Sequence, residues 1–166
     1  MEYIFFWGHH EKPGCATTKA CFSQWYPASF EHEGVTYCCA EQFMMAAKAR
    51  LFEDTQTLQQ ILSTCNPKEI KALGRAVKNF DPVKWDAVKY DVVITANMCK
   101  FGQNLQLWQC LHDTGDAILV EASPYDTIWG IGMKEQQAKV CSPEEWKGQN
   151  LLGKALMEVR NNLKAE

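Results

Sequence analysis

The chain has 166 residues, of which 46% are hydrophobic and 22% charged, with a formal net charge of −3. That length suits one domain with a real core, and the composition excludes a disordered or low-complexity chain. The slight acidity argues against bulk affinity for nucleic acid, though not against a local basic patch, and no apolar run reaches the ~18 residues of a membrane span.

The N-terminus MEYIFFWGHHEKPG has neither a basic n-region nor a long apolar stretch, so no signal peptide is expected and a cytoplasmic protein without membrane contact is. Eight cysteines occur without a CxxC pair, which fits reduced, mostly buried thiols. His9, His10 and Cys15 lack a second pair of zinc ligands, so neither a metal nor a cofactor is expected.

Tyr3–Trp7 (YIFFW) is aromatic, β-prone and stopped by Gly8, and reads as a short strand. His9–Ala20 is polar, contains Pro13-Gly14, and reads as a loop. FSQWYPASF at 22–30 carries Pro27 at its centre and is extended or turning. Glu33-Gly34 marks a turn before a second strand, Val35–Tyr37.

The stretch YCCAEQFMMAAKARLF, Tyr37–Phe52, has no Gly or Pro and predicts a helix. Ala40, Phe43, Ala47 and Leu51 recur along one apolar face, and Glu41, Met44, Met45, Lys48 and Phe52 form a second stripe beside it. Glu41 and Lys48 lie seven residues apart on one side, roughly 10 Å along the axis at 1.5 Å per residue. Either both charges reach water at the helix edge, or they line a partly desolvated cleft where burial and a neighbouring charge tune them for chemistry.

Helical patterns follow over Asp54–Thr64, with Leu58, Ile61 and Leu62 on one side, and from Asn66, where Asn-Pro-Lys-Glu is a strong start signal. In that second segment Ile70, Leu73 and Val77 face one way, and Lys68, Lys71, Arg75 and Lys78 form a basic stripe, either a solvated face or a phosphate-reading surface. Asp81-Pro82 repeats the start signal, and Trp85, Val88, Val92 and Cys99 mark a helix ending near Phe101-Gly102. Asn104–His112 is a short helix carrying Leu105, Trp108 and Leu111.

Ala117–Ala122 (AILVEA) predicts a buried strand with Glu121 as its one charge. The loop SPYDTIWGIG at 123–132 is dense in Pro, Gly, aromatic and acidic residues, a composition common at sites. Asn150 is placed as the cap of a last helix whose Leu151, Leu152, Ala155, Leu156, Val159 and Leu163 point inward, and whose N-terminus is open to an anion. Neither repeats nor a linker divide the chain, so one domain over 1–166 is expected.

FFWG, FSQWYPASF, AEQFMMAAKA, KALGR at 71–75, Trp85, KFGQN at 100–104, EASPYDTIWGIG and WKGQNLLGKALMEVR together resemble the NADAR superfamily, which includes the YbiA-like N-glycosidases. The resemblance runs in order from about Tyr3 to Leu163. It departs from the family at Gln24, where Asn is usual, and at Gln149, where Lys is usual. Both replacements are polar and bear on the identity of the substrate rather than on the class of protein.

The resemblance implies an α+β fold, mainly helical, a small domain of about six to seven helices with a few short strands. It implies hydrolysis of an N-glycosidic bond joining ribose to a base or amine. The substrate is either a phosphoribosylamino-pyrimidine intermediate of riboflavin synthesis or ADP-ribosyl-guanine in nucleic acid. A binding module that senses ADP-ribose or NAD without cleaving it is the alternative.

Cleaving the C1–N bond builds positive charge on the ribose carbon and needs a proton for the leaving nitrogen. Glu41, Asp126 and Lys48 supply these functions in kind. Lys48 acts either through its neutral amine as a nucleophile or as a cation that holds phosphate or the ring oxygen. Tyr125, Trp129 and Gly130 would bring the acidic loop over sugar and base, with Trp85 a second stacking candidate. Glu121 is either a satisfied buried acid or a site residue. Lys71, Arg75, Asn150 and Lys154 complete the candidate substrate-binding set.

Overall fold

The computed structural model describes residues 1–9 and 18–166, so most of the expected loop His9–Ala20 lies outside the described residues. The fold is α+β and mainly helical, with seven α-helices and four short strands among the described residues. The chain divides into two compact units, one of residues 24–104 and one of residues 1–23 together with 105–166.

The unit 24–104 starts with an antiparallel hairpin of β1 (Phe30–His32) and β2 (Val35–Tyr37), paired Phe30 to Tyr37 and His32 to Val35. Glu33 and Gly34 close it with φ of 51° and 81°, the left-handed conformations that a two-residue turn between twisted strands requires. The strand Phe30–His32 is not apparent in the sequence, because the Pro-containing stretch before it carries no alternation. The first helix, α1, spans Ala40–Leu51, so Tyr37 ends a strand and the Cys39 thiol caps the helix by accepting from Gln42 N.

Around α1 pack α2 (Thr55–Leu62), α3 (Pro67–Arg75) and α4 (Pro82–Gly102). Each starts where a short polar side chain accepts from the first free amides. Asp54 Oδ1 takes Thr57 N at 3.1 Å, Asn66 Oδ1 takes Lys68 N at 2.9 Å, and Asp81 Oδ1 takes Val83 N at 2.9 Å. Because α3 ends at Arg75, Lys78 is not part of its stripe; its amide instead donates to Asp54 Oδ2 at 2.9 Å. Helix α1 is buried over most of its circumference, whereas Leu51, expected in its core face, is 39% exposed.

In the other unit, β3 (Tyr3–Phe6) lies parallel to β4 (Ile118–Glu121), in the register Tyr3 to Ile118 and Phe6 to Glu121. Phe5, Val120, Ala122, Ile131, Met133 and Ala138 form its core, with Trp146 packed edge-on to Phe5 at 6.1 Å. Helix α5 (Leu105–His112) buries Leu107 and Leu111 and leaves Leu105 exposed. A four-residue helix, α6 (Glu135–Ala138), lies beyond the acidic loop and is too short to leave a periodic signal.

The last helix, α7 (Leu151–Lys164), runs against β4, with Gly153 so close that a Cβ there would overlap the Leu119 carbonyl. Arg160 anchors it, donating from its guanidinium to Thr114 Oγ1 at 2.8 Å and to Ala117 O at 2.9 Å. No helix among the described residues is long and apolar enough to cross a membrane.

Candidate active site

In the unit 24–104 the central feature is Lys48, half-buried on the last turn of α1. Its Nζ donates to Gly74 O on α3 at 2.8 Å and lies 4.5 Å from the centroid of Phe80. The carbonyl and the ring face replace part of the water that burial removes. Desolvation pulls the Lys48 pKa below the ordinary lysine value, and the negative charge of Glu41 partly opposes that shift. The two groups that the seven-residue spacing puts on one side of α1 are thus electrostatically coupled, and Lys48 is held more readily neutral than a surface lysine.

The first turn of α1 is fixed by two glutamines. Glu41 N donates to the main-chain oxygen of Gln24 at 2.9 Å. The buried Gln42 amide accepts from Cys38 N at 2.8 Å and donates to Ile61 O and Thr64 O, both at 3.0 Å. Buried Gln42 thus ties the start of α1 to the end of α2, an assignment no periodicity suggests for a polar residue. The Gln24 side chain, a departure from the family pattern, is itself buried and its Oε1 accepts from Asn97 Nδ2 at 2.9 Å.

Lys100 is wholly buried, 5.0 Å from the Phe101 ring centroid and 5.7 Å from that of Tyr26. Neither Lys100 nor Asn97 is among the candidates the sequence suggests. The available signal is the KFGQN motif, whose other polar members are structural. Gln103 exchanges two hydrogen bonds with the backbone of Glu31, and Asn104 donates to Ser29 O and Lys100 O. Trp85 is buried in the helical unit, and Lys71 and Arg75 stand exposed on α3.

In the other unit the acidic loop is organised by Asp126. Its Oδ1 accepts from Ile128 N at 2.9 Å and Trp129 N at 2.8 Å, and its main-chain oxygen accepts from Gly132 N at 3.0 Å. This is the Asx geometry by which an aspartate shapes its own turn. Gly130 is buried where a Cβ would come within 2.9 Å of Glu121 O and 3.2 Å of Glu121 Oε2, so glycine permits the close approach of loop and strand. Trp129 is half-buried and Tyr125 is 85% exposed.

Two expectations about α7 are corrected. Asn150 has φ 54° and makes no side-chain cap; instead its Oδ1 accepts from Glu121 N at 3.0 Å and its Nδ2 donates to Leu119 O at 2.9 Å. Its amide side chain therefore hydrogen-bonds the buried edge of β4 that no strand among the described residues pairs, as a neighbouring strand would. The helix N-terminus is not open to an anion either. The amides of Asn150, Leu151 and Leu152 donate to the carbonyls of Gly130, Ile128 and Trp129, at 3.0, 3.2 and 3.1 Å. Lys154 is exposed one turn into the helix.

Among the described residues no group of three or more His, Cys, Asp or Glu is placed to hold a metal, and His10 and Cys15 lie outside those residues.

The NADAR domain model matches residues 5–164, nearly the whole chain. The chain belongs to the NADAR family. N-glycosidase R617 of Acanthamoeba polyphaga mimivirus is 43% identical over 164 residues, covering 96% of this chain and 95% of that protein. Riboflavin biosynthesis protein PYRR of Zea mays, a chloroplastic protein, is 33% identical over 110 residues, which make up 64% of this chain and 16% of that protein. The NMR structure of Escherichia coli YbiA superposes with a TM-score of 0.79 at 27% identity, covering 99% of this chain and 86% of that one. The fold is therefore that of the YbiA-like proteins, and membership in a family with N-glycosidases supports an enzymatic activity in general.

Proposed function

We propose that this NADAR protein is a hydrolase that cleaves the N-glycosidic bond between a phosphoribosyl or ADP-ribosyl sugar and the nitrogen of a base or amine. The observation that carries the reading is Lys48, a half-buried amine with a lowered proton affinity, held on a backbone carbonyl and coupled to a carboxylate. The N-glycosidase relative that is aligned over nearly the whole chain supports the same class of reaction. The name of the maize relative supports a riboflavin-related substrate.

A neutral Lys48 amine suits covalent catalysis at C1. Where the leaving nitrogen carries a hydrogen, the sugar ring opens to an imine between C1 and that nitrogen. Lys48 adds to C1 and the leaving amine departs with the protons it needs, so one imine is exchanged for another. Water then adds to the lysine imine, restoring the Lys48 amine and releasing the free sugar. Glu41 is the proposed proton carrier for these steps, because its charge already acts on Lys48. The family resemblance adds Asp126, whose contribution is read from the Asp126→Ala variant.

Borohydride trapping tests the covalent step. Reduction during turnover is expected to leave the sugar on Lys48, found by peptide mass, with none trapped on Lys48→Arg. Full turnover with no adduct in wild type would reject the amine as nucleophile and leave it a cationic binding group.

A further inference from the structure

A cavity of about 330 Å³ opens beside the strand pair in the unit formed by residues 1–23 and 105–166. Phe5, Phe6 and Ala122 form its floor, and Trp7, Lys19 and Lys134 stand around it. That size is at the small end of ligand sites, which run ~300–1,000 Å³, and suits one ring system rather than a length of chain.

Two features set it apart from an ordinary surface dent. Trp7 is 54% exposed, and its ring meets Tyr125, 85% exposed, at a centroid distance of 6.0 Å and an angle of 60°. Two large aromatic rings are thus held together with much of their surface in water, where burial under a ligand would be favourable. The second feature is charge. Lys19 and Lys134 are exposed and neither makes an ion pair among the described residues, whereas Glu135, the one acid among the described lining residues, is bonded by Lys139 at 3.0 Å. The described lining residues are therefore net positive although the chain is net acidic.

Exposed aromatic rings beside lysines that make no ion pair among the described residues fit a planar base joined to phosphate. Tyr125 also precedes Asp126, so the aromatic pair adjoins the loop that carries a candidate catalytic carboxylate. We propose that this cavity is an accessory subsite for one nucleotide of a single-stranded nucleic acid, its base stacking on Trp7, whose ring Tyr125 supports from outside the cavity lining, and its phosphates drawn to Lys19 and Lys134. Its role as the neighbour of a cleaved nucleotide rests on the hydrolase reading; its occupation by a nucleotide does not.

The test uses the full chain and a fluorescein-labelled oligothymidylate of twelve nucleotides, with binding followed by anisotropy over a range of salt. Wild type is expected to bind saturably, and Trp7→Ala to bind roughly tenfold more weakly, the loss of one stacking face. Trp7→Phe restores most of that loss. The double variant Lys19→Glu, Lys134→Glu is expected to lower the salt slope by about 1.4, near 0.7 for each phosphate contact removed on a single strand. Equal binding by Trp7→Ala with its thermal melt unchanged, equal binding of the matching duplex, or no saturable binding by wild type would each overturn the subsite. Because binding is read and turnover is not, a protein that hydrolyses nothing still either supports or overturns the subsite, which separates failure of this proposal from failure of the hydrolase reading.

Discussion

The Lys48 ammonium is disfavoured where it sits. Burial lowers its affinity for a proton, Glu41 opposes that only in part, and the Gly74 carbonyl and the Phe80 ring face replace only part of the lost water. The sign of the resulting pH dependence follows directly. A lysine whose folded pKa is below its unfolded value binds fewer protons when folded, so stability rises as pH climbs from the lowered value to the ordinary ~10.4. Below the lowered pKa both states are protonated and the penalty is constant. Wild type is therefore expected to gain stability relative to Lys48→Met as pH rises through that window, measured by denaturant melts at a series of pH values. A difference that stays flat across the window would mean that the amine is solvated and its proton affinity ordinary.

The elements are legible in the sequence where apolar periodicity or a start signal marks them, and obscure where polar side chains do the packing. Asn66-Pro67 and Asp81-Pro82 announce α3 and α4 because caps depend on short polar side chains and on proline's fixed φ. The buried face of α4 differs from the one its periodicity predicts. Trp85, Val93, Ala96, Asn97, Lys100 and Phe101 are buried, whereas Val88, Val92 and Cys99 are only half-buried. Asn97 and Lys100 belong to the interior through hydrogen bonds and ring contacts, which no hydrophobic pattern records.

The same limit hides the role of Asn150, whose amide is spent on Leu119 and Glu121 of β4. Asn150→Ala leaves a strand amide and a carbonyl without partners and forces alanine to a positive φ. A loss of ~2–4 kcal/mol in denaturant unfolding is expected; a loss below ~0.5 kcal/mol would mean that water or a shifted backbone replaces the side chain. Gly153→Ala sets a methyl against the Leu119 carbonyl, a rigid neighbour, and is expected to cost about 1–3 kcal/mol despite alanine's better helix propensity. A stabilised variant would show that α7 moves off the strand at little cost.

At the scale of the whole molecule, the candidate residues fall into two sets. Glu41, Lys48, Lys71, Arg75 and Trp85 belong to the unit 24–104, and Glu121, Tyr125, Asp126, Trp129, Gly130, Asn150 and Lys154 to the other. Family membership and class of fold can be read from motifs spread over nearly the full length, and the matching of residues 5–164 agrees with that reach. What the motifs do not separate is residues that hold the fold from residues that act on a substrate. Asn150, Gln103 and Asn104 sit in motifs and are committed to backbone hydrogen bonds, whereas Lys48 has the altered electrostatics that chemistry uses.

Turnover by wild type and Lys48→Arg on two substrates, a phosphoribosylamino-pyrimidine and an oligonucleotide carrying ADP-ribosyl-guanine, decides whether the lysine acts in hydrolysis. Wild type is expected to release ribose 5-phosphate or ADP-ribose, and Lys48→Arg to lose activity on the order of 10²–10⁴-fold with its melting unchanged. Undiminished release by Lys48→Arg would contradict the role of the lysine, and no release from either substrate, with ADP-ribose still bound, would make the protein a sensor rather than a hydrolase.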